Sequence, residues 1–317
     1  MDRVRAIDGI VPVMLTPFDD GGKVDFQSLE RLVAWYIANG ADTLFAVCQS
    51  SEMQFLGLEE RVAIARFVVD RAGGRVPVIA SGHVASAPED QIRELSAMAD
   101  CGIDGLVLVT NRLDTENQGF EAFRGSLQAL LSQLPADLPL GLYECPAPFR
   151  RLLSDDELRL CLDTGRFRVL KDVSCDLDTV TRRIGLVKGS GFSIVNANAA
   201  IAFDAMQAGS KGFAGVFTNF HPDLYAWLYR HGASGDPLSE DLATFLVLAA
   251  TAEPMGYPVL AKLHHQRLGT VRSLASRVVT YDIVERHWAI EAILDHIEAG
   301  AERFRGLIAE RANGAPS

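Results

Sequence analysis

Phe167-Arg168-Val169-Leu170-Lys171-Asp172 is a short, largely apolar run that stops abruptly at a lysine and an aspartate. Seven comparable runs recur, at Ile10 to Leu15, Thr43 to Val47, Val76 to Ala80, Gly105 to Val109, Leu138 to Tyr143, Phe192 to Val195 and Gly212 to Phe217. They are apolar throughout instead of alternating, which suits parallel strands covered on both faces. Between them lie stretches such as Leu29, Leu32, Val33, Tyr36 and Ile37, whose spacing puts apolar residues on one face of a helix. Ser154 before three acids, Pro88 and Pro222 mark helix starts. Strand and helix therefore alternate along the chain.

About eight βα units of roughly 20 to 35 residues each predict an α/β fold, a (β/α)8 TIM barrel. The competitor is an open doubly wound sheet, disfavoured because no Gly-rich phosphate-binding turn follows an early strand. His231 to Pro237 reads as a loop, with only helical patterns after it. The expected organisation is a barrel over 1–232 and a C-terminal helical region over 233–317 packed on it, fraying at the end.

Of the 317 residues, 48% are hydrophobic and 22% charged, ordinary for a globular chain with a sizeable core. Thirty lysines and arginines against 41 acids leave a net charge of −11, which repels phosphate backbones and anionic headgroups. Neither nucleic acid nor membrane is an expected partner. Cys48, Cys101, Cys145, Cys161 and Cys175 are scattered, and no Cys/His set has metal-ligand spacing. A reduced, cytoplasmic setting without a metal is expected, since the apolar runs also fall far short of a membrane span.

In a parallel barrel the chemistry sits at the carboxyl ends of the strands. The polar residues there include Gln49-Ser50-Ser51-Glu52, His83, Asn111-Arg112, Tyr143-Glu144, Lys171-Asp172 and Asn198. Lys171 is the most informative, because a desolvated ammonium loses its proton more easily and a neutral amine condenses with a ketone. Its alternative is a rim lysine snorkelling to solvent or paired with Asp172. Tyr143 is a candidate proton carrier or an ordinary rim aromatic. Ser50 and Ser51 either present hydroxyls and N–H groups to a carboxylate or cap the next helix, near Leu58. His83 is an acid/base candidate or a structural hydrogen-bonder, and Phe245, Leu246, Leu248 and Ala249 form a packing stripe.

In order and spacing these segments resemble the dihydrodipicolinate synthase and N-acetylneuraminate lyase superfamily over nearly the whole chain. Leu15-Thr16-Pro17-Phe18 is similar to its TPF strand end, and Cys48-Gln49-Ser50-Ser51-Glu52 stands in place of GTTGE. Tyr143-Glu144-Cys145-Pro146 takes the place of YNxP, and Val169-Leu170-Lys171-Asp172 that of GIKD. The tyrosine and lysine are 28 residues apart, from 143 to 171, as in the family. Ala208-Gly209-Ser210-Lys211-Gly212 resembles GAxG, and Pro258 to Lys262 with Leu268-Gly269 the later PxxxK and LG pattern.

The resemblance implies a Schiff-base lyase or aldolase without metal or cofactor, taking pyruvate or another 2-oxo acid, and an aldehyde where it condenses. Lys171 would carry the imine, with Tyr143 as proton carrier. Ser50, Gln49, Ala214, Glu144 and Asn198 would bind substrate, and the chain would assemble as a homo-oligomer, a tetramer or dimer. The departures argue against the two archetypes. Gln49 replaces a relay threonine, Asn111-Arg112-Leu113 replaces PYY, and Pro148 falls where the synthases have a carboxylate-gripping arginine. Ala199 and Ala200 replace sugar-binding acids of the lyases, Val173 replaces a threonine, and Glu144 adds a carboxylate that neither has. A sugar-acid dehydratase, a hydratase-aldolase and a non-catalytic 2-oxo-acid-binding paralogue remain as alternatives. Glu144, His83 and Arg112 are the candidates for reading the second substrate.

Overall fold

The computed structural model describes residues 6–313. Eight parallel strands form one curled sheet: β1 (Gly9–Ile10), β2 (Leu44–Phe45), β3 (Val78–Ala80), β4 (Gly105–Val109), β5 (Leu140–Tyr143), β6 (Phe167–Asp172), β7 (Ser193–Asn196) and β8 (Gly212–Phe213). Their order is β1-β8-β7-β6-β5-β4-β3-β2. Just after β1, Val13 forms a parallel bridge with Phe45 of β2, and the Phe45 N–H donates to Pro12 O at 3.0 Å, so the two edges meet. The (β/α)8 order expected from the apolar runs is the one found, with each strand overlapping its run.

Gly212 makes that closure sterically possible. Its φ of +125° is unfavourable for side-chain-bearing residues, and a Cβ there would lie 1.8 Å from the carbonyl oxygen of Gly9 on the neighbouring strand. Beneath the strand ends, Ile7, Val11, Ile79, Val107, Val169 and Val195 fill the interior as a packed floor.

The outer layer comprises α1 (Phe26–Ala38), α2 (Leu58–Ala72), α3 (Pro88–Ala99), α4 (Phe120–Leu131), α5 (Asp155–Asp163), α6 (Leu177–Val187), α7 (Ala202–Gln207) and α8 (Pro222–His231). Asp25 caps α1 by accepting from the N–H groups of Gln27 and Ser28, and Ser154 with Glu157 closes a reciprocal capping box on α5. Four more helices follow, α9 (Pro237–Ala250), α10 (Val259–Arg267), α11 (Ile283–Arg286) and α12 (Ile290–Ala312). Among the described residues, no helix is long and apolar enough to cross a membrane.

The C-terminal part is not helical throughout, as the sequence patterns suggest. Residues 268–282 form an irregular strap, held because its polar backbone finds fixed partners in the barrel loops. Glu52 Oε2 accepts from the N–H groups of Arg277 (2.6 Å) and Val278 (3.2 Å) and from Ser276 Oγ (3.0 Å). Its other oxygen takes the ammonium of Lys262 at 2.6 Å. Glu52 has φ +60°, a left-handed conformation rare outside glycine, and these four bonds hold it there.

Candidate active site

The carboxyl ends of the strands open into a cavity of about 500 Å³. Gln49, Ser50, Arg112, Tyr143, Lys171 and Ala214 face it from the barrel, and Glu253, Tyr257 and Val278 from the C-terminal region. Pro146, Ala147, Pro148, Val173 and Val216 make much of the rest of the wall apolar.

Tyr143 and Lys171 are directly paired across the β5–β6 ladder. Parallel neighbours in register present side chains to the same face, so the 28-residue separation puts phenol and amine side by side at the barrel mouth. Lys171 is 8% exposed, with Nζ 4.3 Å from the Tyr143 ring centroid and 5.9 Å from that of Phe45. Among the described residues it has no ion pair, Asp172 included. Burial therefore pulls its pKa below the usual lysine value, opposed more weakly by Cys48, Cys145 and Glu253. Lys262 is fully buried but is paired with Glu52, whose carboxylate opposes the effect of burial and ties the ammonium into a structural ion pair.

The Tyr143 hydroxyl donates to Gln49 Oε1 at 3.3 Å, and the Cys145 thiol reaches the same oxygen at 3.3 Å. Gln49 thus accepts where a hydroxyl would both accept and donate, and an amide does not readily pass a proton on. Burial raises Tyr143 well above the ordinary phenol value, so it is a neutral hydrogen-bond donor. Ser50 lines the cavity, whereas Ser51 Oγ lies 2.8 Å from Met14 O and 2.9 Å from Ala46 O, tied to backbone. Of the two serines only Ser50 is available to a ligand.

Several expected positions lie elsewhere. Glu144 is wholly buried and turned to the helix layer, receiving Arg183 Nη2 at 2.6 Å and the N–H groups of Leu153 and Val173 at 2.8 and 3.0 Å. It therefore leaves the substrate-binding set, and the reason is strand periodicity: with Tyr143 facing in, its neighbour must face out. Asn198 caps the following turn, accepting from the N–H of Ala200 at 2.9 Å, and is absent from the cavity wall. His83 holds Gln91 Oε1 at 2.9 Å and accepts from the Val109 N–H at 3.1 Å. Burial lowers its pKa to about 4, so it is a neutral structural residue. Leu113 is buried, and Ala199 and Ala200 line a different recess beside α9. Arg112 does face the cavity, half-buried, with one N–H on Ser86 Oγ at 2.9 Å and, among the described residues, no ion pair.

Glu253 and Tyr257 were invisible to the sequence reading. Asn219 Nδ2 donates to the Tyr257 hydroxyl at 3.1 Å, while Asn219 Oδ1 is occupied by the Tyr36 hydroxyl at 2.5 Å. Tyr257 accepts there, and Ser50 also bonds its hydroxyl, which leaves the Tyr257 O–H able to donate into the cavity. Among the described residues, no three His, Cys, Asp or Glu side chains cluster as a metal site.

Residues 6–270 match the model of the dihydrodipicolinate synthetase family. The 4-hydroxy-tetrahydrodipicolinate synthase of Bacillus subtilis (strain 168) is 29% identical over 204 residues, 64% of this chain and 68% of that protein. A dihydrodipicolinate synthase from Bacillus anthracis superposes with a TM-score of 0.81 at 23% identity, covering 91% of this chain and 97% of the other. The chloride-inhibited enzyme from Acinetobacter baumannii, solved with pyruvate, gives 0.80 at 23% identity, covering 93% and 100%.

Proposed function

The chain belongs to the dihydrodipicolinate synthetase family, and from that premise we propose that it is a metal-independent lyase or aldolase carrying pyruvate or another 2-oxo acid as an imine on Lys171. The observation that carries this reading is the in-register pair of Tyr143 with a buried, unpaired Lys171 opening into one cavity. The amine attacks the C2 carbonyl, the carbinolamine loses water, and the iminium that remains acidifies C3. Tyr143 stands beside the reacting nitrogen to carry the proton to the departing hydroxyl, and Ser50 with Tyr257 holds the carboxylate. Retro-aldol cleavage, condensation and dehydration all pass through the enamine that follows.

The second substrate is read by what the wall lacks. Pro148 and Val173 offer no hydrogen bonds, so a polyhydroxylated sugar acid would lose water there without finding partners. An apolar or aromatic partner suits the wall better, with Arg112 free for an anionic group, which favours a hydratase-aldolase over the sugar-acid dehydratase. On this reading neither archetypal substrate is the natural one. Aspartate semialdehyde and N-acetylneuraminate are expected to be turned over with kcat/KM well below the ~10⁴ M⁻¹s⁻¹ at the low end of ordinary enzymes. A coupled assay giving that value or more with aspartate semialdehyde would make this chain a true synthase.

A screen of 2-oxo acids and aldehydes, read by mass spectrometry after borohydride reduction, tests the reading as a whole. Activity with the substrate so found should survive exhaustive chelation, because the lysine supplies the electron sink that a metal would otherwise provide. Loss with EDTA and recovery with a divalent ion would overturn the mechanism. Leu248, 64% exposed, with Phe245, Met255 and Ile293 alongside, leaves an apolar strip consistent with assembly as a homo-oligomer, tetramer or dimer.

A further inference from the structure

An enamine forms only if something removes a proton from C3 of the imine, and the groups lining the cavity can be taken in turn. The Tyr143 O–H is engaged with Gln49 Oε1, and the thiol of nearby Cys145 shares the same acceptor. Burial raises the pKa of Tyr143, Tyr257 and Cys145 above their ordinary values, so none stands ready as an anion. Arg112 is a cation, and Gln49, Gln54 and Ser50 are not bases near neutral pH.

Glu253 differs from all of them. It is the one carboxylate among the described residues that line the cavity, and its side chain has neither a hydrogen bond nor an ion pair there. It follows α9 in a turn closed by the Tyr257 N–H on Glu253 O at 3.3 Å, a spacing that carries both side chains to the same face. Its charge and that of Lys171 act on each other, so the carboxylate lies within electrostatic reach of the amine on the wall of the same cavity. Glu253 is exposed at the rim, and the atoms packed beside it push its carboxyl upward only as far as solvent there allows, in the direction that makes a carboxylate a stronger base.

We infer that Glu253 is the general base that converts the protonated imine (iminium) on Lys171 to the enamine. A carboxylate oxygen takes a proton from C3, the C3–H electron pair becomes the C2=C3 bond, and the C=N π pair returns to Nζ. The products are a neutral enamine and a neutral Glu253 carboxyl, which can protonate the oxygen of an incoming carbonyl in the condensing direction. The assignment rests on the imine reading above, and the two separate experimentally.

Exchange of the pyruvate methyl protons in D2O, followed by NMR, reports enamine formation alone, and borohydride trapping reports the imine alone. In Glu253→Gln the Lys171 adduct should form within about threefold of wild type, while exchange falls by about 10² to 10⁴, the range of a lost general base. Glu253→Asp should recover part of it. Exchange within threefold of wild type in Glu253→Gln, with the adduct intact, overturns the role of Glu253. Absence of the adduct in the wild-type protein overturns the imine reading, and this inference with it.

Discussion

Lys171→Ala traps no pyruvate under borohydride, and turnover falls by on the order of 10⁴-fold or more, the scale on which loss of a covalent nucleophile is felt. The sharper part of this expectation concerns which lysine is labelled. Two lysines are buried near the top of the barrel, and burial lowers the pKa of both. Lys262 Nζ, however, is held by Glu52 at 2.6 Å and by Ala275 O at 2.6 Å, so its lone pair is committed to a proton and its donors to fixed acceptors. Lys171 has two aromatic faces beside it, the cavity in front and, among the described residues, no ion pair, so it releases its proton at the lower cost. Peptide mapping of the reduced wild-type protein should therefore place one adduct on Lys171 and none on Lys262. Trapping that persists in Lys171→Ala, or a label on Lys262, would remove the chemical centre of the proposal.

The same comparison shows why the sequence exposes one half of the site and hides the other. Tyr143 and Lys171 are legible because each ends an apolar run, and adjacent parallel strands convert a fixed separation into a shared face. Glu144 was misplaced although the same strand periodicity excludes it, since an acid beside a site tyrosine invites a chemical reading before a geometric one. Glu253 and Tyr257 carry no such mark. They lie in a non-periodic turn after α9, and only tertiary contacts bring them over the barrel, such as Asn219 with Tyr257. The strap at 268–282 escaped for a related reason: what fixes it is the long-range bond set of Glu52 and the Arg277–Glu60 pair, which no local pattern announces.

The residues that failed as ligands carry the second large effect. Arg183, 1% exposed, donates to Glu144 through Nη1 (3.0 Å) and Nη2 (2.6 Å), to Leu153 O (2.9 Å), and to Asp172. Asp172 also takes the N–H and hydroxyl of Ser174 at 2.9 and 2.6 Å. These carboxylates are the residues immediately after Tyr143 and Lys171, so one guanidinium ties the outward faces of β5 and β6 behind the two groups that meet in the cavity. Burial by itself would lower the pKa of Arg183, but the two carboxylates outweigh it and leave the guanidinium firmly charged. Arg183→Met removes that charge and strands two buried carboxylates, which costs about 3–5 kcal/mol. At about 2–4 °C per kcal/mol for a chain of this size or somewhat smaller, the melting temperature should fall by roughly 6–20 °C. Restoring a charge with Arg183→Lys should recover only part of this, because an ammonium cannot span both carboxylates in a planar fork. Where the variant remains folded at low temperature, imine formation should also slow, by up to about 10²-fold for a displacement near 1 Å, with Lys171 still the residue labelled. A melting temperature within 2 °C of wild type would show that the Glu144–Arg183–Asp172 cluster does not hold the catalytic strand ends in place.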